Sequence, residues 1–144
     1  MSRASSRDLV CVDTSAYFSV ANIRDVNHHA ARSILVDLVA NRRRFVTTNF
    51  ILAELHALLL TRINRSVAIQ VLHEIDASQD TTVERVSEED EQRAREIIVH
   101  YVDKNFSLTD ATCFAVMERL GIAEAFSFDR NFAQYGWTLI QPPR

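Results

Sequence analysis

Short apolar runs alternate with longer stretches of helical periodicity along this chain. The first run, residues 9–13 (L-V-C-V-D), is apolar at consecutive positions, the pattern of a strand buried on both faces in a parallel sheet. Residues 27–40 set Ala31, Ile34, Leu35, Leu38 and Val39 on one stripe and predict an amphipathic helix. After the turn N-R-R-R, residues 45–48 (F-V-T-T) predict a second strand, and Asn49 is placed to cap a helix reaching about Arg62. Ser66 is placed to cap the next helix, with Val67, Val71 and Ile75 in register. Residues 81–86 (T-T-V-E-R-V) predict the third strand.

Ser87 and Asp90 make a capping-box-like start for a helix over 88–102, striped by Ala94, Ile97, Ile98 and Tyr101. Ser107 and Asp110 repeat the device and open a helix that ends near Leu120, with Gly121 just past it. Residues 125–129 (A-F-S-F-D) and 137–140 (W-T-L-I) predict the fourth and fifth strands. This alternation specifies an α/β fold: a three-layer α/β/α sandwich around a central parallel sheet of four to five strands, joined by right-handed crossovers. The 144 residues carry no internal repeat, low-complexity tract or linker, so one domain spanning 1–144 is expected, with 1–8 as a flexible N-terminus.

Composition narrows the picture only slightly. Hydrophobic residues make up 47% and charged residues 24%, ordinary for a globular chain, and the net charge of −3 shows no bulk basic character. Lys104 is the single lysine among sixteen basic residues, and the rest are arginines. Arginine suits planar contacts with phosphate and carboxylate, and the same bias can reflect genome composition. Cys11 and Cys113 sit among apolar neighbours and read as reduced core residues rather than a disulfide or metal site. The polar N-terminus precedes too short an apolar run for a signal peptide, and no stretch approaches a membrane span, so a cytoplasmic location is expected.

The candidate chemistry lies in the acids. Asp13 and Asp129 each end an expected strand, which in a parallel sheet brings them to one edge; either one alone is also an ordinary turn residue. Ligands bind such sheets outside the carboxyl ends of the strands, where the strand order reverses. Glu54 has Phe50, Ala57 and Leu58 as helical neighbours, so its face reads as apolar and its carboxylate as needing a buried partner. Asp110 completes a capping box, and the same geometry would fix a carboxylate at the sheet edge. Four acids converging from four elements would repel one another, and a hard divalent cation such as Mg²⁺ or Mn²⁺ resolves that repulsion. Such a centre can activate water for phosphoryl displacement and lets an acidic protein hold a polyanion.

The motifs V-D-T-S-A-Y (12–17), L-A-E-L (52–55), S-L-T-D-A (107–111) and S-F-D-R-N-F (127–132) occur in the order and spacing of a PIN domain. Over about residues 9–141 the chain resembles the VapC-type toxins of toxin–antitoxin pairs. The resemblance implies that Asp13, Glu54, Asp110 and Asp129 form a catalytic metal-binding quartet, with Thr14 or Ser15 and Ser127 in support. It also implies an endoribonuclease that inhibits translation, a homodimer, an RNA substrate and a small antitoxin partner. Ser127 stands where Thr is common and Asn131 where a further Asp sometimes occurs, so no fifth carboxylate is expected.

For RNA contact, Arg130 directly follows Asp129, and Arg42, Arg43 and Arg44 form the densest basic run, with Arg62 and Arg65 as further options. His73-Glu74 lacks the second His of a zinc-protease motif, since position 77 is Ala. His28-His29 reads as a solvated helix start, and His56 and His100 carry no assigned role. A phosphatase of the D-x-D type is excluded by Ser15, and a phosphoacceptor receiver by the position of Lys104 ahead of the Asp110 helix. The remaining alternative is a non-catalytic module of the same fold that binds protein or RNA.

Overall fold

The computed structural model describes residues 5–144. Five strands form one parallel sheet: β1 (Leu9–Val12), β2 (Arg44–Thr48), β3 (Thr81–Glu84), β4 (Glu124–Phe126) and β5 (Thr138–Leu139). Their order is β3-β2-β1-β4-β5. The chain moves outward from β1 through β2 to β3, then crosses back to place β4 on the other side of β1. That reversal opens a crevice between the carboxyl ends of β1 and β4.

Seven helices fill the connections: α1 (Thr14–Ala21), α2 (His28–Ala40), α3 (Asn49–Arg62), α4 (Arg65–Ala77), α5 (Glu88–His100), α6 (Leu108–Leu120) and α7 (Arg130–Tyr135). The three central strands β1, β2 and β4 bury both faces, and their side chains divide with period two. Val10, Val12, Phe45 and Phe126 pack with Ala31, Ile34 and Leu38 of α2. Cys11, Val46 and Ala125 face the other way, onto Ala94 and Ile97 of α5, Cys113, Phe114 and Met117 of α6, and Phe132 of α7. A third cluster joins Leu55 and Leu59 of α3 to Ala68 and Ile75 of α4, and Tyr17 of α1 touches all three clusters. The sandwich expected from the sequence is the fold observed.

Helix α6 is the centre of the second layer. Eight consecutive residues, Asp110 through Met117, are buried, so it is enclosed on all sides rather than amphipathic. Gly121 follows it at φ 69°, the left-handed stop expected there. Arg119 pairs with Asp90 at 2.9 Å and with Glu84 at 3.0 Å, tying α6 to the start of α5 and to the end of β3.

Several local expectations are corrected. Helices α1 and α7 were not foreseen: α1 follows β1 with a single intervening residue, and α7 is too short to show a period. Thr48, not Asn49, caps α3, its hydroxyl accepting from Ile51 N–H at 3.1 Å. Asn64, not Ser66, caps α4 in the same way at 2.8 Å. On the expected stripes, Val39 is 56% exposed and Ile98 37%. Both lie at the margin of a face that α2 and α5 fill with their other residues. Of the N-terminal stretch read as flexible, residues 1–4 lie outside the described residues, while Ser6–Asp8 form a 3-10 turn capped by Ser5.

Candidate active site

The end of β1 runs directly into α1, and Asp13 is the residue between them. As N-cap of α1 its carboxylate meets the Ser15 N–H at 3.4 Å, the common reason for an Asp at such a junction. Two hydroxyls add to this, Ser15 Oγ at 2.8 Å and Ser127 Oγ at 2.9 Å, both donating to Asp13 Oδ2. The backbone after β4 sets the orientation of both hydroxyls. Phe128 N–H donates to Ser15 Oγ at 2.9 Å, and Asp129 N–H donates to Ser127 Oγ at 3.0 Å. With those lone pairs engaged, each hydroxyl proton is turned toward Asp13. Thr14, the other candidate supporting hydroxyl, is buried and its Oγ1 has no hydrogen-bond partner among the described residues. Ser15 rather than Thr14 supports Asp13.

Asp13 is only 4% exposed, and burial pushes its carboxyl up to about 6 despite the two hydroxyl donors, with the nearby charge of Asp110 adding to the rise. Asp110 sits in the first turn of α6, where its Oδ2 accepts from Ser107 N–H at 3.1 Å in a complete capping box. The same Oδ2 accepts from Asn131 Nδ2 at 3.0 Å.

Asp129 is placed differently from the expectation. β4 ends at Phe126, and Asp129 instead caps α7, its Oδ1 accepting from Asn131 N–H at 2.9 Å. Partial burial raises its carboxyl, and the charges of Asp110 and Glu54 raise it further. Glu54 requires a correction as well. It lies on the exposed side of α3, because the buried stripe of that helix is Ile51, Leu55 and Leu59. It needs no buried partner, yet it is close enough to act on Asp129.

Asp110 acts through its charge on Asp13 and Asp129, and Glu54 on Asp129, while three of the four sit at helix N-termini, whose positive ends offset part of the repulsion. No Arg, Lys or His side chain pairs with any of the four among the described residues. An oxygen-only donor set, partly desolvated and without a cationic partner, has the chemistry of a hard divalent cation site. No three His, Cys, Asp or Glu side chains among the described residues close around one point at ligand spacing. A hard ion that retains several of its waters can be held through water by carboxylates at such wider separations, so the donor set is compatible with one.

The basic candidates separate by position. Arg130 is exposed directly beside Asp129 at the carboxyl edge. Arg42, Arg43 and Arg44 belong to the opposite edge, because they lead into the start of β2. There Arg43 pairs with Glu124 at 2.6 Å and reaches Asp8 O at 3.4 Å. Arg62 and Arg65 are also remote, since α3 starts at the carboxyl edge and its fourteen residues carry the chain about 20 Å away. Asn131, which in the sequence marks only the absence of a fifth acid, contacts two of the four. His28 Nδ1 lies 2.8 Å from Ser19 O and joins α2 to α1, while His73 and His100 are exposed on their helices.

A sequence model of the PIN domain matches residues 10–137. The 23S rRNA-specific endonuclease VapC20 of Mycobacterium tuberculosis is 33% identical over 135 residues, covering 93% of this chain and 99% of that protein, with the same values in two strains. The crystal structure of that VapC20, described as a sarcin–ricin loop cleaving toxin, superposes with a TM-score of 0.83 at 31% identity, covering 92% of this chain and 99% of that one. VapBC2 from Rickettsia felis, solved bound to a DNA fragment from its promoter, superposes with a TM-score of 0.69 at 10% identity over 92% of this chain and 97% of that one, a likeness of fold alone. With a family model that spans most of its length and a relative of one-third identity across nearly all of it, the chain belongs to the PIN domain family, in its VapC group.

Proposed function

We propose that this chain is a divalent-metal-dependent endoribonuclease, the toxin of a VapBC-type toxin–antitoxin pair that inhibits translation by cutting RNA. The observation that carries the reading is Asp13: a buried carboxylate that feels the charge of Asp110, held by two oriented hydroxyls, with no cationic side chain among the described residues to balance it. A carboxylate kept in such a place for stability alone would be costly. The VapC20 relative supports the substrate class, and ribosomal RNA is the first substrate to test.

In this reading Asp13, Glu54 and Asp110 would hold a Mg²⁺ or Mn²⁺, directly or through water, with Asp129 completing that site or helping to hold a second ion. When bound, the ion would supply Lewis-acid polarisation of the scissile phosphate and favour deprotonation of an attacking water. Ser15 and Ser127 keep Asp13 ionised and oriented. Arg130 meets a neighbouring phosphate of the RNA, the charge-assisted contact for which arginine is suited. Attack at phosphorus in line with the P–O3′ bond breaks that bond and leaves 5′-phosphate and 3′-hydroxyl ends. A small antitoxin, a homodimeric assembly and a cytoplasmic location belong to the same proposal.

The test is cleavage of RNA by the purified protein, beginning with an oligonucleotide of the sarcin–ricin loop. Mg²⁺ or Mn²⁺ supports cleavage and EDTA abolishes it; Asp13→Asn and Asp110→Asn each remove it. Undiminished cleavage by a folded double variant would sink the proposed site. Failure to bind metal or cut any of a broad set of RNAs would leave a non-catalytic binding module as the better reading.

A further inference from the structure

Asn131 is the second residue of α7 and touches two of the four acids at once. Its backbone N–H donates to Asp129 Oδ1 at 2.9 Å, and its side-chain Nδ2 donates to Asp110 Oδ2 at 3.0 Å. Ser107 N–H reaches that same Asp110 oxygen at 3.1 Å. Two donors from different elements therefore fix one oxygen of Asp110, and among the described residues no donor meets its Oδ1.

We propose that Asn131 is a positioning residue of the metal centre: its amide holds Asp110 by Oδ2 and leaves Oδ1 free to be presented to the cation. The inference rests on the metal-dependent reading above. An amide and a carboxylate at this position would act in opposite ways. The amide NH₂ donates to Asp110, whereas an ionised Asp side chain there would set an acceptor against an acceptor and lose the contact. Donors that orient a metal ligand from behind contribute about 10–100-fold to metal affinity, which sets the size of the effect.

The experiment is Mn²⁺ binding to the full chain, read by electron paramagnetic resonance of the free ion, for the natural protein, Asn131→Ala and Asp110→Asn. The natural protein binds Mn²⁺, and Asn131→Ala binds it about 10–100-fold more weakly. Asn131→Ala keeps the backbone N–H that meets Asp129 at the start of α7, so circular dichroism and the melting temperature separate loss of metal from loss of fold. Unchanged affinity in Asn131→Ala overturns the role given to Asn131 and leaves the metal reading standing. No Mn²⁺ on the natural protein, or undiminished binding by Asp110→Asn, overturns the metal reading and this inference with it.

Discussion

Ser127 Oγ donates to Asp13 Oδ2 at 2.9 Å, joining the end of β4 to the end of β1 across 114 positions of sequence. The same Oγ accepts from Asp129 N–H, so one hydroxyl links the buried acid to the cap of α7. Removing a hydrogen bond to a buried charged group costs about 1.5–3 kcal/mol. Ser127→Ala therefore raises the Asp13 carboxyl further and moves the acid limb of the cleavage rate upward by about one pH unit. A pH–rate profile with an unmoved acid limb would contradict this role.

The metal-free protein is expected to gain stability on mild acidification. Folding raises the Asp13 carboxyl from 3.8 to about 6, and the Asp129 carboxyl in the same direction, chiefly through burial. The folded chain then retains protons that the unfolded chain releases between about pH 4 and pH 6. The stabilisation is full below that window and is lost as pH rises through about 6, a difference of about 3 kcal/mol for Asp13. Asp90 behaves oppositely. Arg119 and the Ser107-like cap at Ser87 hold its carboxyl low against the cost of burial, so its contribution persists above pH 4 and is lost at lower pH. Melting curves in EDTA at pH 5 and pH 7 measure the sign.

Asp13→Asn should separate stability from activity. The amide removes a charge that burial disfavours, so the metal-free variant melts higher at pH 7, in the range of about 1–3 kcal/mol. Cleavage with Mg²⁺ falls by about 100-fold or more, as for loss of a group that holds the ion. A variant that is less stable in EDTA at pH 7 would show that Asp13 serves the fold rather than the chemistry.

The two sets of arginines make a paired prediction. Arg130→Ala raises KM for RNA by about 3–10-fold and flattens its salt dependence, as for loss of one phosphate contact. Arg43→Ala leaves KM unchanged and instead lowers stability by about 1 kcal/mol or less, because its partner Glu124 is half-exposed. Equal KM effects from the two would place RNA over both edges of the sheet.

Arg119→Met tests the tie between α5 and α6. It leaves the buried Asp90 with only its capping bonds, removing two charge-assisted contacts at 3.0 and 2.9 Å. The loss is about 2 kcal/mol in urea unfolding, and Asp90→Asn in the same background recovers part of it.

The sequence by itself determined the class of fold and the elements that carry the four candidate acids. Apolar runs such as 9–13 and the boxes at Ser87 and Ser107 are local signals, and local signals survive without tertiary context. Asp13, Asp110 and Asp129 were legible because each follows or opens an element that the pattern already marked. The elements α1 and α7 were not legible, since α1 follows β1 with one residue between and α7 has only six residues. Tertiary structure alone decided the rest. It turned Glu54 outward, because Leu55 and Leu59 claimed the buried side of α3. It chose Ser15 over Thr14, because only one of the two adjacent hydroxyls is oriented by a backbone N–H from the β4–α7 connection. It moved Arg42, Arg43 and Arg44 to the far edge, because strand direction rather than charge density sets which end of the sheet a turn occupies. It also brought Asn131 onto Asp110, a contact between residues 21 positions apart that no helical or strand period encodes.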